Sequence, residues 1–371
     1  MDPQSRTRHI RRGNPLASRR LSEWTAAVEP GNLPLGQVRW RDRSGVLSYR
    51  YTPVMDTDAI VIGAGAAGLA AARSLAGRSL RVIVLEACDR VGGRVWSRPM
   101  ARSGVPAELG AEFIHGPGKE TMASLRDAGM AAIDTGGESW TCCKDGNLRR
   151  EDDDFKFAAG IFDGARSLAD DESVDRFLRR FEGDEAMRET TAAARAFVEG
   201  FDAADPTIAS ARAIADEWRS GVDSTSARPL GAYRLMFDHL RDACTASGVV
   251  MSLSTPVRRI SWHRGAVEVD AKNGREESLT IRARAAIVTL PVGVLRHSGD
   301  ESEVVFDPDL PAAKREALRS IEMGHAVKVV LCFRTAFWER VRDGRTATAR
   351  FSAAKGDRSQ CIGRSIQSVA S

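Results

Sequence analysis

The chain has 371 residues, 43% of them hydrophobic and 28% charged, a globular composition with length for about two or three domains. Its 54 Lys and Arg stand against 50 Asp and Glu, a formal net charge of +4. The arginines are spread along the chain, which predicts a solvated surface and no nucleic-acid footprint. No apolar run approaches the roughly 20 residues of a membrane-spanning helix.

Residues 1–54 carry the pairs Arg11-Arg12 and Arg19-Arg20. A twin-arginine export signal needs an apolar segment next, and here Ser22, Glu23 and a Pro/Gly-rich stretch follow. The expectation is a disordered extension, or a start upstream of the true one near Met55. The six cysteines, Cys88, Cys142, Cys143, Cys244, Cys332 and Cys361, form no CxxC pair. That predicts buried thiols in a reducing, cytoplasmic compartment, with neither a disulfide framework nor a zinc site.

A short apolar strand over 58–62 is followed by a turn over 63–68, an Ala-rich helix beginning over 69–75 and a second strand over 81–86. This is a βαβ unit. From 120 to about 247 helix formers dominate, over 154–169, 174–181, 185–200, 208–219 and 233–247. The acidic runs 151–154 and 170–172 read as helix starts or solvated loops. Strand patterns return over 249–253, 266–271, 281–290 and 326–333. Strand, helix and strand again suggests a helical insertion interrupting a nucleotide-binding domain.

Gly63-Ala64-Gly65-Ala66-Ala67-Gly68 follows a strand and opens a helix. Gly63 permits the tight turn, Gly65 lets the backbone approach a pyrophosphate, and Gly68 lets helix and strand pack closely. The helix N-terminus favours the negative charge. Glu86, 18 residues after Gly68, ends the next strand, where a carboxylate accepts ribose hydroxyls and repels a 2′-phosphate. Dinucleotide binding follows, with NADP disfavoured and NAD or FAD both open.

The next segments are Asp89-Arg90-Val91-Gly92-Gly93-Arg94 and Glu108-Leu109-Gly110-Ala111-Glu112-Phe113-Ile114-His115-Gly116. They resemble the flavin amine oxidase family, which includes monoamine oxidases, polyamine oxidases and histone lysine demethylases. Further matches follow in order: a segment over 197–205, Pro229-Leu230-Gly231-Ala232-Tyr233, Thr255-Pro256-Val257 with Ile260, and Val288-Thr289-Leu290-Pro291. The resemblance implies FAD. It places Gly93 and Arg94 along the diphosphate, where an arginine neutralises phosphate in bidentate fashion. Leu109, Gly110, Ala111 and Glu112 pass the flavin ring, and the Val257 backbone meets the adenine. With Gly63, Gly65, Ala66, Ala67, Gly68, Glu86 and Ala87 these form the expected cofactor site.

Lys328 lies within the apolar run 326–333, followed by Phe337-Trp338. A lysine in an apolar strand costs desolvation without a partner or a wet cavity, and a lysine guarding a sheet edge is the alternative. The resemblance implies the lysine that bridges through water to flavin N5. His115 matches a histidine that polyamine-type members carry near the substrate entrance, and a packed loop histidine is its alternative.

After Arg340 the family's remaining strands, its Gly-Glu segment and its closing helix do not follow, and the polar tail predicts truncation by a frameshift near Asp343. The expected fold is α/β: a Rossmann-type FAD-binding domain (GR2-like) with an inserted α+β substrate domain. Its parts are an FAD-binding part at 55–119, the insertion at 120–247, a second FAD-binding part at 248–300, substrate-domain strands at 301–340 and an aberrant tail at 341–371. The expected reaction is oxidation of an amine C–N bond by hydride transfer to flavin, with O2 as acceptor. A flavin desaturase or other C–H oxidoreductase, and an inactive remnant, are the alternatives.

Overall fold

A computed structural model of the chain describes residues 56–100, 106–135, 159–219 and 226–330, with the strands at 37–41, 47–51, 139–142, 148–151 and 350–352. The chain divides into two compact units, Met1–Asp56 and Thr57–Ser371. In the first, where the sequence predicts an unstructured extension, Gln37–Arg41 and Leu47–Tyr51 pair as an antiparallel hairpin. Both arginine pairs lie outside the described residues.

The second unit is organised by a parallel sheet. Its strands run in the order Val250–Ser252, Val82–Leu85, Ala59–Ile62, Ala285–Val288, each parallel to its neighbour. All four residues of Ala59–Ile62 are buried, as a parallel strand covered on both faces requires. The period of two then sorts the side chains. Val61, Val82 and Val84 face Leu69 and Ala72 of the helix Ala66–Ala76, and Met236, Phe237 and Leu240 of the helix Tyr233–Ala246. Ile60, Ile62 and Leu85 face Val257, Ile260, Val269 and Ile281 on the other side. Each fully buried large side chain contributes about 2 kcal/mol. The second face is covered by the antiparallel strands Val257–His263, Ala266–Lys272 and Ser278–Ala283, with Val305–Asp307 added in parallel.

Three expectations are corrected here. The run 281–290 is two strands in different sheets: Ser278–Ala283 belongs to the antiparallel layer and Ala285–Val288 to the parallel one. The insertion predicted over 120–247 has its own core only over 161–218, formed by Phe162, Phe177, Trp218 and their neighbours. Before and after that core, Ile114–His115, Ser226–Pro229 and Ala132–Asp134 form a small antiparallel sheet. The helix Tyr233–Ala246 buries Tyr233, Met236, Phe237, Leu240 and Cys244, one stripe at helical spacing, against the glycine-turn helix. It therefore packs with the helix Ala66–Ala76 on the parallel sheet and not with the insertion core. Finally, 326–330 is not a strand.

Of the helix predicted over 154–169, Ala159 and Gly160 are helical and Ile161–Ser167 is a 3-10 helix, while 154–158 lie outside the described residues. The helix Val174–Leu178 follows, with Ser173 as its N-cap accepting from the Arg176 N–H at 3.3 Å. Among the described cysteines, Cys244 is buried as expected, whereas Cys88 is exposed. No helix among the described residues is long and apolar enough to cross a membrane.

Asp202 is the strained point of the insertion core. Trp218 Nε1 donates to its Oδ2 at 3.1 Å, while Oδ1 is buried without a hydrogen-bond partner among the described residues. Burial, and then the charge of Glu217, push the carboxyl up to about 6 from 3.8. The folded state therefore holds a proton that the unfolded chain has released, so stability falls as pH rises from about 4 through about 6. Asp202→Asn is expected to raise the melting temperature at pH 8 and to leave it unchanged at pH 4. An equal shift at both pH values, in thermal unfolding followed by circular dichroism, would contradict this.

Candidate functional site

The carboxyl end of the strand Ala59–Ile62 opens into a turn with no room for side chains. A Cβ on Gly68 would lie 1.9 Å from the Gly63 carbonyl oxygen, and one on Gly63, at φ 105°, would lie 2.6 Å from Thr289 Oγ1. Gly65 differs, because a Cβ there would meet only the Gly93 Cα, at 3.9 Å. That is ordinary van der Waals contact, so Gly65 is less crowded than Gly63 or Gly68. The helix Ala66–Ala76 has no side-chain cap and no acidic residue in its first turn. Its first N–H groups, at the exposed Ala66 and Ala67, keep their partial positive charge for an anion.

Glu86 follows the strand Val82–Leu85 and is only 8% exposed. Its Oε2 accepts from the Ala64 N–H at 2.6 Å and its Oε1 from the Cys88 N–H at 2.9 Å. The carboxylate is thus pinned between the glycine turn and the next loop, and each oxygen keeps a lone pair for a hydroxyl donor. The Ser254 and Thr255 N–H groups donate to the carbonyls of Cys88 and Glu86, each at 2.8 Å. These bonds bring the start of the strand Val257–His263 beside Glu86 and the exposed Ala87. Val257 itself is buried against Ile62 and Leu85. Partial burial of the Cys88 thiol, and then Glu86, raise it above its ordinary range, so it does not supply a thiolate.

The segment 89–95 closes over the glycine turn. The Gly92 N–H donates to the Ala64 carbonyl at 2.9 Å, and a Cβ on Gly93 would lie 3.4 Å from the Gly65 Cα. The two glycine backbones therefore pack against each other. The two arginines of this segment have different work. The Arg90 guanidinium donates to the carbonyls of Val95 at 2.8 Å, Gly93 at 2.9 Å and Val91 at 3.2 Å, which folds the turn. Arg94 is exposed, and its guanidinium has no partner among the described residues.

Leu109–Glu112 is tied to Arg94 through the backbone. The Ala111 N–H donates to the Arg94 carbonyl at 3.1 Å and the Leu109 N–H to that of Trp96 at 2.7 Å. A Cβ on Gly110 would lie 1.9 Å from the Arg94 carbonyl oxygen. Glu108, just before, was not anticipated from sequence. It accepts from Ser97 Oγ at 2.7 Å and from the Tyr233 N–H at 2.9 Å, so a buried carboxylate caps the helix Tyr233–Ala246 from a distant strand. The sequence signal was present: that helix begins after Ala232, which cannot cap it. Burial, and then Glu108, push the Tyr233 hydroxyl up to about 12.

Lys328 reaches the same segment. Its Nζ donates to Glu112 Oε2 at 2.6 Å and to the Gly110 carbonyl at 3.2 Å, and Arg228 lies 3.6 Å from Glu112 Oε1. The lysine was expected within a buried apolar strand. Instead Val327 is 78% exposed and the Lys328 side chain 35%, because no described strand offers this segment a ladder partner. Residues 331–333, Phe337 and Trp338 lie outside the described residues. His115 ends the short strand Ile114–His115 opposite Ser226, with its ring packed edge-on against Phe201 at 5.3 Å. The structure thus places the glycine turn and Glu86 at the carboxyl ends of the two central strands, links Arg94, Leu109–Glu112 and Lys328 to them through backbone and side-chain hydrogen bonds, and places His115 in an aromatic contact.

This arrangement suits a dinucleotide. A diphosphate would lie against the packed Gly65 and Gly93 backbones, where a helix N-terminus and the exposed Arg94 guanidinium would supply positive charge, and Glu86 would supply acceptors for ribose hydroxyls. No cluster of metal-ligating side chains occurs among the described residues.

Comparisons with known proteins point the same way. The profile of the family described as flavin containing amine oxidoreductase matches residues 66–361. Polyamine oxidase 3 of Oryza sativa subsp. japonica is 28% identical over 321 residues, covering 76% of this chain and 60% of that protein. Putrescine oxidase of Kocuria rosea is 28% identical over 329 residues, covering 76% of this chain and 66% of that protein. The solved structure of cyclohexylamine oxidase from Brevibacterium oxydans IH-35A superposes with a TM-score of 0.57 at 23% identity, over 71% of this chain and 63% of that one, and shows the shared α/β fold. The chain spans about three-fifths of the length of the first of these relatives. It belongs to the flavin-containing amine oxidoreductase family.

Proposed function

We propose that this chain binds FAD across the glycine turns and oxidises the C–N bond of an amine. The observation that carries the reading is the uncapped first turn of the helix Ala66–Ala76 beside the packed Gly65 and Gly93 backbones, with an exposed Arg94 guanidinium that has no partner among the described residues, in a chain of this family. When bound, FAD accepts a hydride equivalent from the C–H beside the amine nitrogen and passes two electrons to O2, giving hydrogen peroxide, while water hydrolyses the imine.

The chain's own part is binding and orientation. Ala66, Ala67 and Gly68 offer N–H groups to the diphosphate, and Arg94 neutralises its charge in bidentate fashion. Glu86 accepts ribose hydroxyls and, as a fixed carboxylate, repels a 2′-phosphate. Gly63 and Gly68 keep helix and strand close enough for this approach, and Ala87 and Val257 border the adenine end. Leu109, Gly110 and Ala111 carry the backbone past the flavin ring. Lys328 would hold a water molecule beside the flavin, and His115 would stand on the substrate side.

The named relatives define the first substrates to try: putrescine, longer polyamines and cyclohexylamine, with amino acids added. The FAD-loaded chain is expected to release one peroxide per amine consumed with at least one of them. Silence on every amine, together with formation of a carbon–carbon double bond in an alkyl substrate, would transfer the chain to the flavin desaturase reading. Arg94→Met removes charged hydrogen bonds worth about 1.5–3 kcal/mol, so its FAD dissociation constant is expected to rise about 10- to 100-fold. Because the side chain is exposed and has no partner among the described residues, the melting temperature of the FAD-free chain should not move. Unchanged FAD affinity in a fluorescence titration would remove Arg94 from the site.

A further inference from the structure

Resting on that reading, we infer that Glu112 is a positioning residue that clamps Lys328, and not a cofactor contact. Both of its carboxylate oxygens face cations of the chain: Lys328 Nζ at 2.6 Å on Oε2 and the Arg228 guanidinium at 3.6 Å on Oε1. A carboxylate held between two cations has little left to offer a flavin, whose ring is itself rich in acceptors. Its geometry suits a different task.

The need for a clamp is evident in the segment that carries the lysine. Residues 321–330 form no strand and are exposed throughout. The start of the segment is tied down, because Arg296 donates to Glu322 Oε2 at 2.9 Å and Oε1 at 3.1 Å. A Cβ on Gly324 would lie 1.9 Å from the Ala203 carbonyl oxygen, so the backbone is also pressed against the insertion there. Val327 and Val329, on either side of Lys328, are 78% and 61% exposed and contribute little packing. A free lysine stem loses rotamer entropy when it is fixed in one place. The double contact with Glu112 and Gly110 is what fixes this one.

The clamp also sets where the ammonium stands. Gly110 and Glu112 lie on one short turn, which the Ala111–Arg94 backbone bond and the Gly110–Arg94 close approach lock to the diphosphate-binding segment. Lys328 is thereby positioned relative to Arg94, and so to whatever Arg94 holds. An ammonium has three N–H donors. Gly110 and Glu112 take two, and the third remains for the water that the reading above assigns to Lys328.

The test uses the full-length chain and two readouts. In the first, amine acylation at pH 8 is followed residue by residue by peptide mass spectrometry. Lys328 is expected to label more slowly than the exposed, helix-borne Lys314, and Glu112→Gln should speed labelling of Lys328 several-fold while leaving Lys314 alone. Unchanged labelling of Lys328 overturns the clamp, whether or not any amine is oxidised. In the second, anaerobic reduction of the FAD-loaded chain by its best amine is measured by stopped flow. Glu112→Gln is expected to slow reduction about 10- to 100-fold, with the FAD dissociation constant and the substrate KM changed less than about threefold. Glu112→Asp should recover part of the rate. In a Lys328→Met background Glu112→Gln should cost nothing further, since a residue that acts through Lys328 has nothing left to position. Equal losses in both backgrounds, or lost FAD affinity with the reduction rate intact, would overturn the proposal. A chain that holds FAD but is reduced by no amine would defeat the functional reading instead, with the labelling result still deciding the clamp.

Discussion

The site depends on the approach of helix and strand at Gly63 and Gly68, where a Cβ on Gly68 would stand 1.9 Å from a carbonyl oxygen. Only glycine tolerates that distance, and only at that distance does the helix Ala66–Ala76 direct its uncapped first turn at the end of the sheet. Every other site residue is referred to this turn. Glu86 is pinned to it through the Ala64 N–H, the segment 89–95 through the Gly92 N–H, and Thr289 through a hydroxyl that donates to the Ile62 carbonyl at 2.8 Å. The last bond joins the later part of the chain to the earlier part across 227 residues.

From the turn the constraint passes outward as a relay of backbone contacts. Arg90 folds the 89–95 loop by donating to three carbonyls, which leaves Arg94 free to present a cation, and the Arg94 carbonyl in turn receives Leu109–Glu112. That turn then receives Lys328. The positive charges of the site are not alike, therefore. One arginine is structural, one is available for an anion, and the lysine is paired with a carboxylate. In a family whose cofactor carries a diphosphate, such a division allows charge to be concentrated at one end of the cleft while the other end is close to neutral.

Much of this was legible in the residues. The strand–turn–helix–strand unit, the close approaches at Gly63 and Gly68 and the position of Glu86 depend on short-range geometry, which a sequence displays directly, whereas the Arg94 segment stood out through its family resemblance. What was hidden depends on distant partners. The resemblance singles out Arg94, but that Arg90 folds the loop shows only in the carbonyls that surround it. Glu108 reads as one acid among many until the helix at Tyr233 arrives to be capped. The same helix was assigned to the insertion because its pattern says amphipathic but not which face it will cover. The apolar run around Lys328 predicts a strand from its composition, yet a strand also needs a neighbouring edge, and none is offered to 326–330 among the described residues. The pairing of Lys328 with Glu112 spans 216 residues and has no local signature.

The central claim is that this chain, with the glycine turns, Glu86 and Arg94 it possesses, is a flavin-binding member of its family. The most direct test is the visible absorption spectrum of the purified chain after saturation with FAD and gel filtration. Flavin bands co-eluting in stoichiometric proportion to protein, shifted from those of free FAD, are the expected result. A colourless protein peak, with all the flavin in the small-molecule fraction, would contradict the account.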